Sequence, residues 1–490
     1  MALALTLCAA YVAYCLGTLP PGPLTTPDSV HYLNATPIVP LGYPLFLKIL
    51  GARGAMIVQP LLFGGALAFL ATQVRRHTGS TALASLVVLG TIALPQIRAF
   101  HASILSESLF LSLLVVFLGF AVRFAYQPSW HLMVLVATAA GLSVTVRRTG
   151  VALLPVMLMM VLLERHRLKG AQPVRLAPLA HPSTSLGMTL SLSKGQGKPP
   201  LFFVAALAPF LVIIGAEQAV TPIVHAGQSS SLMGRHMFAK AALIDAPAAD
   251  SSSDPIRSAL DRHLETDYAP IRAFLAAAPG DLRGVLSMYY ETCLQGGCAD
   301  RSRDLMKDES EARQTSTMGA AGLARIRRAP LAFLQLTMMN YQALWTADRL
   351  RHPDRAPALN AFIASHRPMP FERLAFALRP EDGLAFTPSP RVRYMQIALT
   401  ALAFGTGGLA MASLIGLVAP GRLPTPWVIA AVGALVAHFG LLLTASLAAG
   451  FARFTIGLWP AIVVSALFGW WAVSHRPDGG HHIGADATAR

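Results

Sequence analysis

Two adjacent arginines, Arg147-Arg148, stand before Thr149-Gly150 between two apolar stretches of the chain. Planar guanidinium groups side by side suit a phosphate or pyrophosphate ester, which each can grip with two parallel hydrogen bonds. The same pair could instead anchor the chain at a membrane surface, with the charged heads reaching the headgroups. Arg453, in FARFTIGLWP, holds a similar place before the last apolar stretch and is a second phosphate candidate.

Carboxylates are the scarcer resource. Asp28 is the only one in the first 106 residues, and it lies in the loop that follows the first apolar stretch. An acid close to a membrane is costly to desolvate and tends to be functional where it persists. The Pro27-Asp28 start also suits a solvated aspartate capping a short helix. His31 and Tyr32 follow at i+3 and i+4, so one helical turn would put them on the Asp28 side. Gly42-Tyr43-Pro44 then reads as a chain break before the apolar 45–50 segment, which with Lys48 suits a helix lying at the interface. Tyr43 is a further candidate for substrate contact. Glu107, in HASILSESLFLSLL, falls about one turn inside an apolar stretch. An unpaired charge there would be costly, so it requires a partner or a watery cavity. Arg98 and His101 are the candidates nearest in sequence, and a capping glutamate paired with Arg98 is the plainer reading.

Other chemistries have no visible basis. No G-x-x-x-x-G-K-[ST] phosphate loop, H-E-x-x-H zinc motif or G-x-S-x-G nucleophile elbow occurs. Cys8 and Cys15 lie in the first apolar stretch and read as packing residues. Cys293 and Cys298, spaced C-x4-C, could close a small disulfide loop in an oxidising compartment. A zinc site needs more ligands than that spacing offers. A single loop carboxylate makes a poor cage for a divalent ion, so a metal cofactor is not favoured.

These residues must be positioned by membrane helices. The 490-residue chain carries 39 Lys+Arg and 24 Asp+Glu, a formal charge of +15. Only 13% of residues are charged and 54% are hydrophobic, with a mean hydropathy of +0.52. A soluble protein has about 25% charged residues. That deficit excludes a soluble enzyme, a disordered chain and a histone-like basic protein. Crossing a bilayer takes roughly 20 apolar residues, and about ten such stretches are present: 2–19, 55–73, 79–96, 104–122, 131–146, 150–163, 201–221, 394–418, 426–447 and 455–473. The fifth and sixth are short and could form one broken or re-entrant pair around Arg147-Arg148. The first lacks a basic leader, so it reads as a span rather than a cleaved signal peptide. The expected fold is an all-α polytopic membrane protein with about ten transmembrane helices.

Lys and Arg in the short loops favour a cytoplasmic N-terminus. Residues 1–224 then form an N-terminal membrane region with an outer loop at 20–54 and a basic cytoplasmic linker at 164–200. Within that linker, 181–195 reads as a flexible insertion. Residues 225–392 hold 20 Lys+Arg against 18 Asp+Glu and read as a mainly helical, outer-face domain inserted between the seventh and eighth spans. Residues 393–476 supply the C-terminal spans, and 477–490 a cytoplasmic tail. In a bacterium the outer face is periplasmic and the membrane is the inner one. Outside 225–392 only six acids remain, namely Asp28, Glu107, Glu164, Glu217, Asp478 and Asp486. The positive excess is therefore a property of loops facing anionic lipid. No basic stretch is interleaved with aromatics, so nucleic acid is not an expected partner.

In this order the motifs resemble the C-type, polytopic glycosyltransferases, and among them the bacterial relatives of the dolichyl-phosphate-mannose protein mannosyltransferases. The likeness rests on Asp28-x-x-x-Tyr32 with Pro40-Leu-Gly-Tyr-Pro44, Ser106-Glu107-Ser108-Leu-Phe110, Arg147-Arg148-Thr149-Gly150 with Pro155, and Arg453-Phe454-Thr455 with Trp459-Pro460. Arg327-Arg328-Ala-Pro330, running into an apolar helix up to Trp345, is similar as well. The chain departs in its Asp-Ser pair, where Asp-Glu is common, and in its span count. The 225–392 domain matches no acceptor-specific module. The resemblance implies a hexosyl- or pentosyltransferase that moves a sugar from a polyprenyl-phosphate donor to a lipid, glycan or protein acceptor on the outer face. Asp28 would be the catalytic base and Glu107 the second acid. Tyr32, Tyr43, His31, Arg98, His101, Arg147, Arg148 and Arg453 would line the substrates. A polysaccharide ligase or polymerase, centred on Arg235-His236 of the large loop, is the nearest alternative. A lipid or solute transporter is a second, but mid-membrane acids and an internal repeat are both missing.

Overall fold

A computed structural model of the chain describes residues 1–26, 28–169, 199–224, 233–248, 254–278, 280–295, 302, 304–346, 401–412, 424–447 and 452–475. The described residues are helical throughout, with no strand and a single isolated bridge between Leu24 and Ser103. The helices are α1 (Ala2–Gly17), α2 (Ser29–Leu33), α3 (Gly42–Thr78), α4 (Thr81–Ile92), α5 (Pro95–Ala102), α6 (Glu107–Tyr126), α7 (Trp130–Val146), α8 (Leu153–Lys169) and α9 (Pro199–Val224) in the first part. A 3-10 turn, Arg148–Ala152, joins α7 to α8. Next come α10 (Met233–Ala242), α11 (Pro255–Thr266), α12 (Ala269–Ala277), α13 (Gly280–Gln295), α14 (Glu311–Arg328) and α15 (Pro330–Thr346). The chain closes with α16 (Ala401–Ala412), α17 (Thr425–Leu447), α18 (Ala452–Gly457) and α19 (Trp459–Ser474).

The described parts of the apolar stretches read from the sequence are largely helical, but the helices are not equal in length. Among the described residues, four are long and apolar enough to cross a membrane: α3, α6, the 201–224 part of α9, and α17. A fifth span results if α4 and α5, bent by 62° at their junction, are taken together. Helices α1, α7, the Arg148–Leu162 segment, α16 and α19 are apolar but of 10–17 residues. A helix rises about 1.5 Å per residue, so α1, α7 and α19 fall short of the roughly 30 Å hydrocarbon core by themselves. The architecture is therefore all-helical and membrane-embedded, with four to five candidate spans among the described residues. Pro95 begins α5 and sets the α4–α5 bend, since proline cannot continue the hydrogen-bond ladder of the preceding helix.

One expectation about the first loop is corrected. Gly42-Tyr43-Pro44 does not break the chain but starts α3, with proline accommodated in the first turn where no helical N–H is required. The break comes at Gly51, whose φ of 68° lies in the left-handed region that glycine tolerates best. The 45–50 segment is thus the short first arm of a kinked helix, and Ile49 there is exposed.

Helix α6 is the hub of the N-terminal bundle, packed on α3 and α7, while α9 lies along α7. Helix α17 packs on α19 and reaches α6, α8, α15 and the 148–152 turn. The core between them is Leu, Val, Phe and Ala, including Phe63, Leu67, Leu70, Phe110, Leu114 and Phe117. Helices α10 and α14 pack closely on each other, and α10 also meets α13. Residues 347–392 of the expected outer domain, 170–198 of the linker and the 477–490 tail lie outside the described residues. Cys298 does so too, as does the side chain of Cys293.

Candidate functional site

The first loop is held against the start of α6 by a short ladder. Leu24 donates to the Ala102 carbonyl at 2.8 Å, and Ile104 donates back to the Leu24 carbonyl at 2.9 Å. The buried Ser29 hydroxyl donates to the Ile104 carbonyl at 2.9 Å. These bonds satisfy backbone groups that would otherwise be stranded at the bundle end. They also bring α2, and with it Asp28, onto the 103–107 segment.

Asp28 occupies the N-cap position of α2, but its side chain makes no capping hydrogen bond. It is Ser29 Oγ that receives the Thr26 N–H, at 2.8 Å. Asp28 is partly exposed, and it lies close enough to Tyr32 for its charge to act on the phenol. Tyr32, one turn on, shares a hydrogen bond of 2.9 Å with Ser106 Oγ. Burial pushes the Tyr32 phenol above its ordinary value, Glu107 adds to that, and Arg147 opposes it. Tyr32 thus stands between Asp28, one turn before it, and the Glu107–Arg147 pair that it reaches through Ser106.

Glu107 is buried at the first position of α6, and its partner is Arg147, whose Nη1 stands 2.8 Å from Oε1. The same nitrogen reaches Ser106 Oγ at 3.5 Å. A fully desolvated carboxylate needs such a partner. Arg98, the partner suggested by sequence, is engaged elsewhere. It donates to the Thr18 carbonyl at 3.0 Å and lies over the Tyr14 ring, 5.2 Å from its centre. That contact ties α5 to the end of α1.

His101 is buried with both ring nitrogens occupied, Nδ1 to Ser108 Oγ at 2.6 Å and Nε2 to Tyr11 O–H at 3.1 Å. In this arrangement it fastens α1, α5 and α6 together. Tyr43 is buried too, donating to Gln59 Oε1 at 3.3 Å and meeting Tyr32 edge-on at 5.1 Å between ring centres. Gln59 in turn donates to the His101 carbonyl at 3.1 Å. Tyr43 therefore braces Tyr32 from behind. His31 turns to Thr36, with Nδ1 and Oγ1 at 3.2 Å.

The chain reverses tightly after α7. A side chain at Gly150 would collide with the Ser143 carbonyl carbon at 2.7 Å, so only glycine lets the 148–152 turn fold back on α7. This reversal sends Arg147 and Arg148 to different acids. Arg148 is half exposed, with Nη1 3.6 Å from Oε2 of Glu217 in α9. The other oxygen of Glu217 accepts the Leu41 N–H at 3.1 Å. Sequence reading did not single out Glu217. Its signal was present, because it is one of only six acids outside 225–392 and sits in an otherwise apolar helix. Ser106, which bridges Tyr32 and Arg147, carried no signal of its own.

The backbone of Arg453 is helical in α18, but its side chain lies outside the described residues. Around it, Thr455 donates to the Leu344 carbonyl at 2.7 Å, and the Trp459 indole donates to the Gly90 carbonyl at 2.7 Å. These bonds fix α18 and α19 to α15 and α4. Among the described residues, no three His, Cys, Asp or Glu side chains are grouped so as to hold a metal ion.

The chain matches no protein-family model, no curated protein and no solved structure.

Proposed function

We propose that this protein is a membrane glycosyltransferase. It transfers a hexosyl or pentosyl group from a polyprenyl-phosphate donor to a hydroxyl of a lipid, glycan or protein acceptor. The observation that carries the reading is the gathering of Asp28, Tyr32, Ser106, Glu107 and Arg147 at one end of the bundle by the docked first loop. An acid on a loop docked to the bundle end that carries the Arg147-Arg148 turn supplies the base and the cation that displacement of an anionic leaving group requires.

Asp28 accepts the proton of the acceptor hydroxyl as that oxygen bonds to the anomeric carbon. The bond from that carbon to the phosphate oxygen breaks, and the lipid phosphate departs with its electron pair. Attack opposite the leaving group inverts the anomeric centre. A positioned base is worth roughly 10²–10⁴-fold in rate. Arginine offsets the charge growing on the phosphate. In this reading the apolar helices are about ten spans, the shorter ones crossing with the aid of adjoining residues. The N-terminus is cytoplasmic, and the site faces the outer, periplasmic side of a bacterial inner membrane.

The ligase or polymerase alternative places its chemistry at Arg235-His236. Arg235 is bound to Glu311 at 2.9 Å. The Nδ1 of His236 is buried in α10 without a hydrogen-bond partner among the described residues. The deciding experiment incubates purified protein with a panel of polyprenyl-phosphate sugars and measures release of free lipid phosphate. Release dependent on an added acceptor supports the reading. No release from any donor, by protein shown to be folded, overturns it.

A further inference from the structure

The two adjacent arginines are not equivalent. Arg147 is 12% exposed and holds the buried Glu107 at 2.8 Å. Drawing it off would leave that carboxylate desolvated and uncompensated, which is strongly unfavourable. Arg148 is 51% exposed, and its nearest acid, Glu217, stands at 3.6 Å, beyond good hydrogen-bond length. Glu217 is itself buried and fixed through one oxygen to the Leu41 N–H of the first loop. Its second oxygen is buried and accepts no hydrogen bond among the described residues. A carboxylate clamped on one side and loosely paired on the other is poised to give up its cation to a better anion.

We propose that Arg148, rather than Arg147, takes the phosphate of the lipid-linked donor, and that Glu217 is its resident counter-ion, a positioning residue that the phosphate displaces. This rests on the glycosyltransferase reading. The phosphate brings several oxygens to a planar, half-open guanidinium, whereas Glu217 offers one oxygen at long range. Because Glu217 stays bound to Leu41, the exchange leaves the first loop and Asp28 in place.

The test is binding of undecaprenyl phosphate to the full-length protein in detergent micelles, with undecaprenol and inorganic phosphate as parallel arms. Glu217→Gln keeps an oxygen for the Leu41 N–H and removes only the charge. It should bind undecaprenyl phosphate about two- to fivefold more tightly, the range expected for loss of a partly exposed competing ion pair. Arg148→Gln should weaken binding about tenfold or more, the scale of a charge-assisted hydrogen bond. Arg148→Lys, which keeps the charge and loses the fork, should fall between. Thermal unfolding midpoints near the wild-type value show that these variants are folded. Undecaprenol should not compete, and inorganic phosphate should compete weakly.

Weaker binding by Glu217→Gln assigns Glu217 a structural role and overturns its half of the proposal. Unchanged binding by Arg148→Gln overturns the division between the arginines while leaving glycosyl transfer intact. Wild-type protein that binds no undecaprenyl phosphate overturns the donor reading itself.

Discussion

Arg147 and Glu107 meet at 2.8 Å across the bundle end, joining the turn after α7 to the first residue of α6. Ser106, next to Glu107, carries the link on to Tyr32 of the first loop. Three segments far apart in sequence therefore converge on one charged pair. The consequences can be measured.

Breaking that pair from one side leaves a buried charge. Glu107→Gln and Arg147→Gln should each cost about 3–5 kcal/mol of stability. The double variant should lose less than the sum of the two, because neither charge is then stranded. A double-mutant cycle on thermal unfolding in detergent checks this, and strict additivity would refute the pairing.

Asp28→Asn keeps the size and shape of the side chain and removes its charge. Asp28→Asn is expected to insert and fold as the wild type does while transfer falls by about 10²–10⁴-fold. Lipid-phosphate release by the purified variant reads the rate. Transfer at the wild-type rate would remove Asp28 from the role of base.

A second buried pair fastens α10 to the rest of the chain. Lys240 donates to Glu291 at 2.8 Å and to the Ala445 carbonyl of α17 at 2.7 Å, with both side chains excluded from solvent. Asn340 donates to the other Glu291 oxygen at 2.5 Å, and Ser287 donates to Asn340. Burial pulls the Lys240 ammonium down and pushes the Glu291 carboxyl up, and their mutual attraction opposes both. Lys240→Met alone should destabilise by about 3–5 kcal/mol, and Lys240→Met with Glu291→Leu should recover much of that loss. Unfolding midpoints of the two variants decide the matter. Equal losses would mean that the pair is not a coupled unit.

The pH dependence of stability should carry a signature of His236. Burial, aided by the nearby Lys240 charge, lowers its imidazole from 6.5 to about 4. Between those values the unfolded chain takes up a proton that the folded one refuses. Stability contributed by the neutral ring is therefore complete above about pH 6.5 and is lost progressively as pH falls toward 4. Unfolding midpoints measured from pH 7.5 down to 5 should drop less steeply in His236→Gln than in the wild type. Parallel slopes would show that other groups govern the acid limb.

Much of the architecture was legible in residue order. The scarcity of charge and the apolar stretches marked an all-helical membrane chain, because a helix satisfies its own backbone and needs only apolar side chains outside. Span number was less legible. Apolar composition marks where a helix lies, while its length and bends depend on neighbours, as at the α4–α5 bend and the Gly51 kink.

The candidate site divides in the same way. Residue type and rarity alone pointed to Asp28, Glu107, Arg147 and Arg148. Partners could not be assigned, because hydrogen bonds and ion pairs depend on distances between segments that the sequence does not order. Arg98 lies nine residues from Glu107 and binds α1 instead, while Arg147 on another helix takes the carboxylate. His101 carried an ionisable ring that the fold spends on packing three helices. Glu217 became part of the neighbourhood only when α9 came to lie along α7 and set its carboxylate between Leu41 and Arg148. The sequence by itself determined which scarce charges must be accounted for, since a charge in an apolar chain is costly wherever it lies. Only the tertiary structure decided which of them meet, because burial makes each charge seek whichever counter-charge the packing brings within reach.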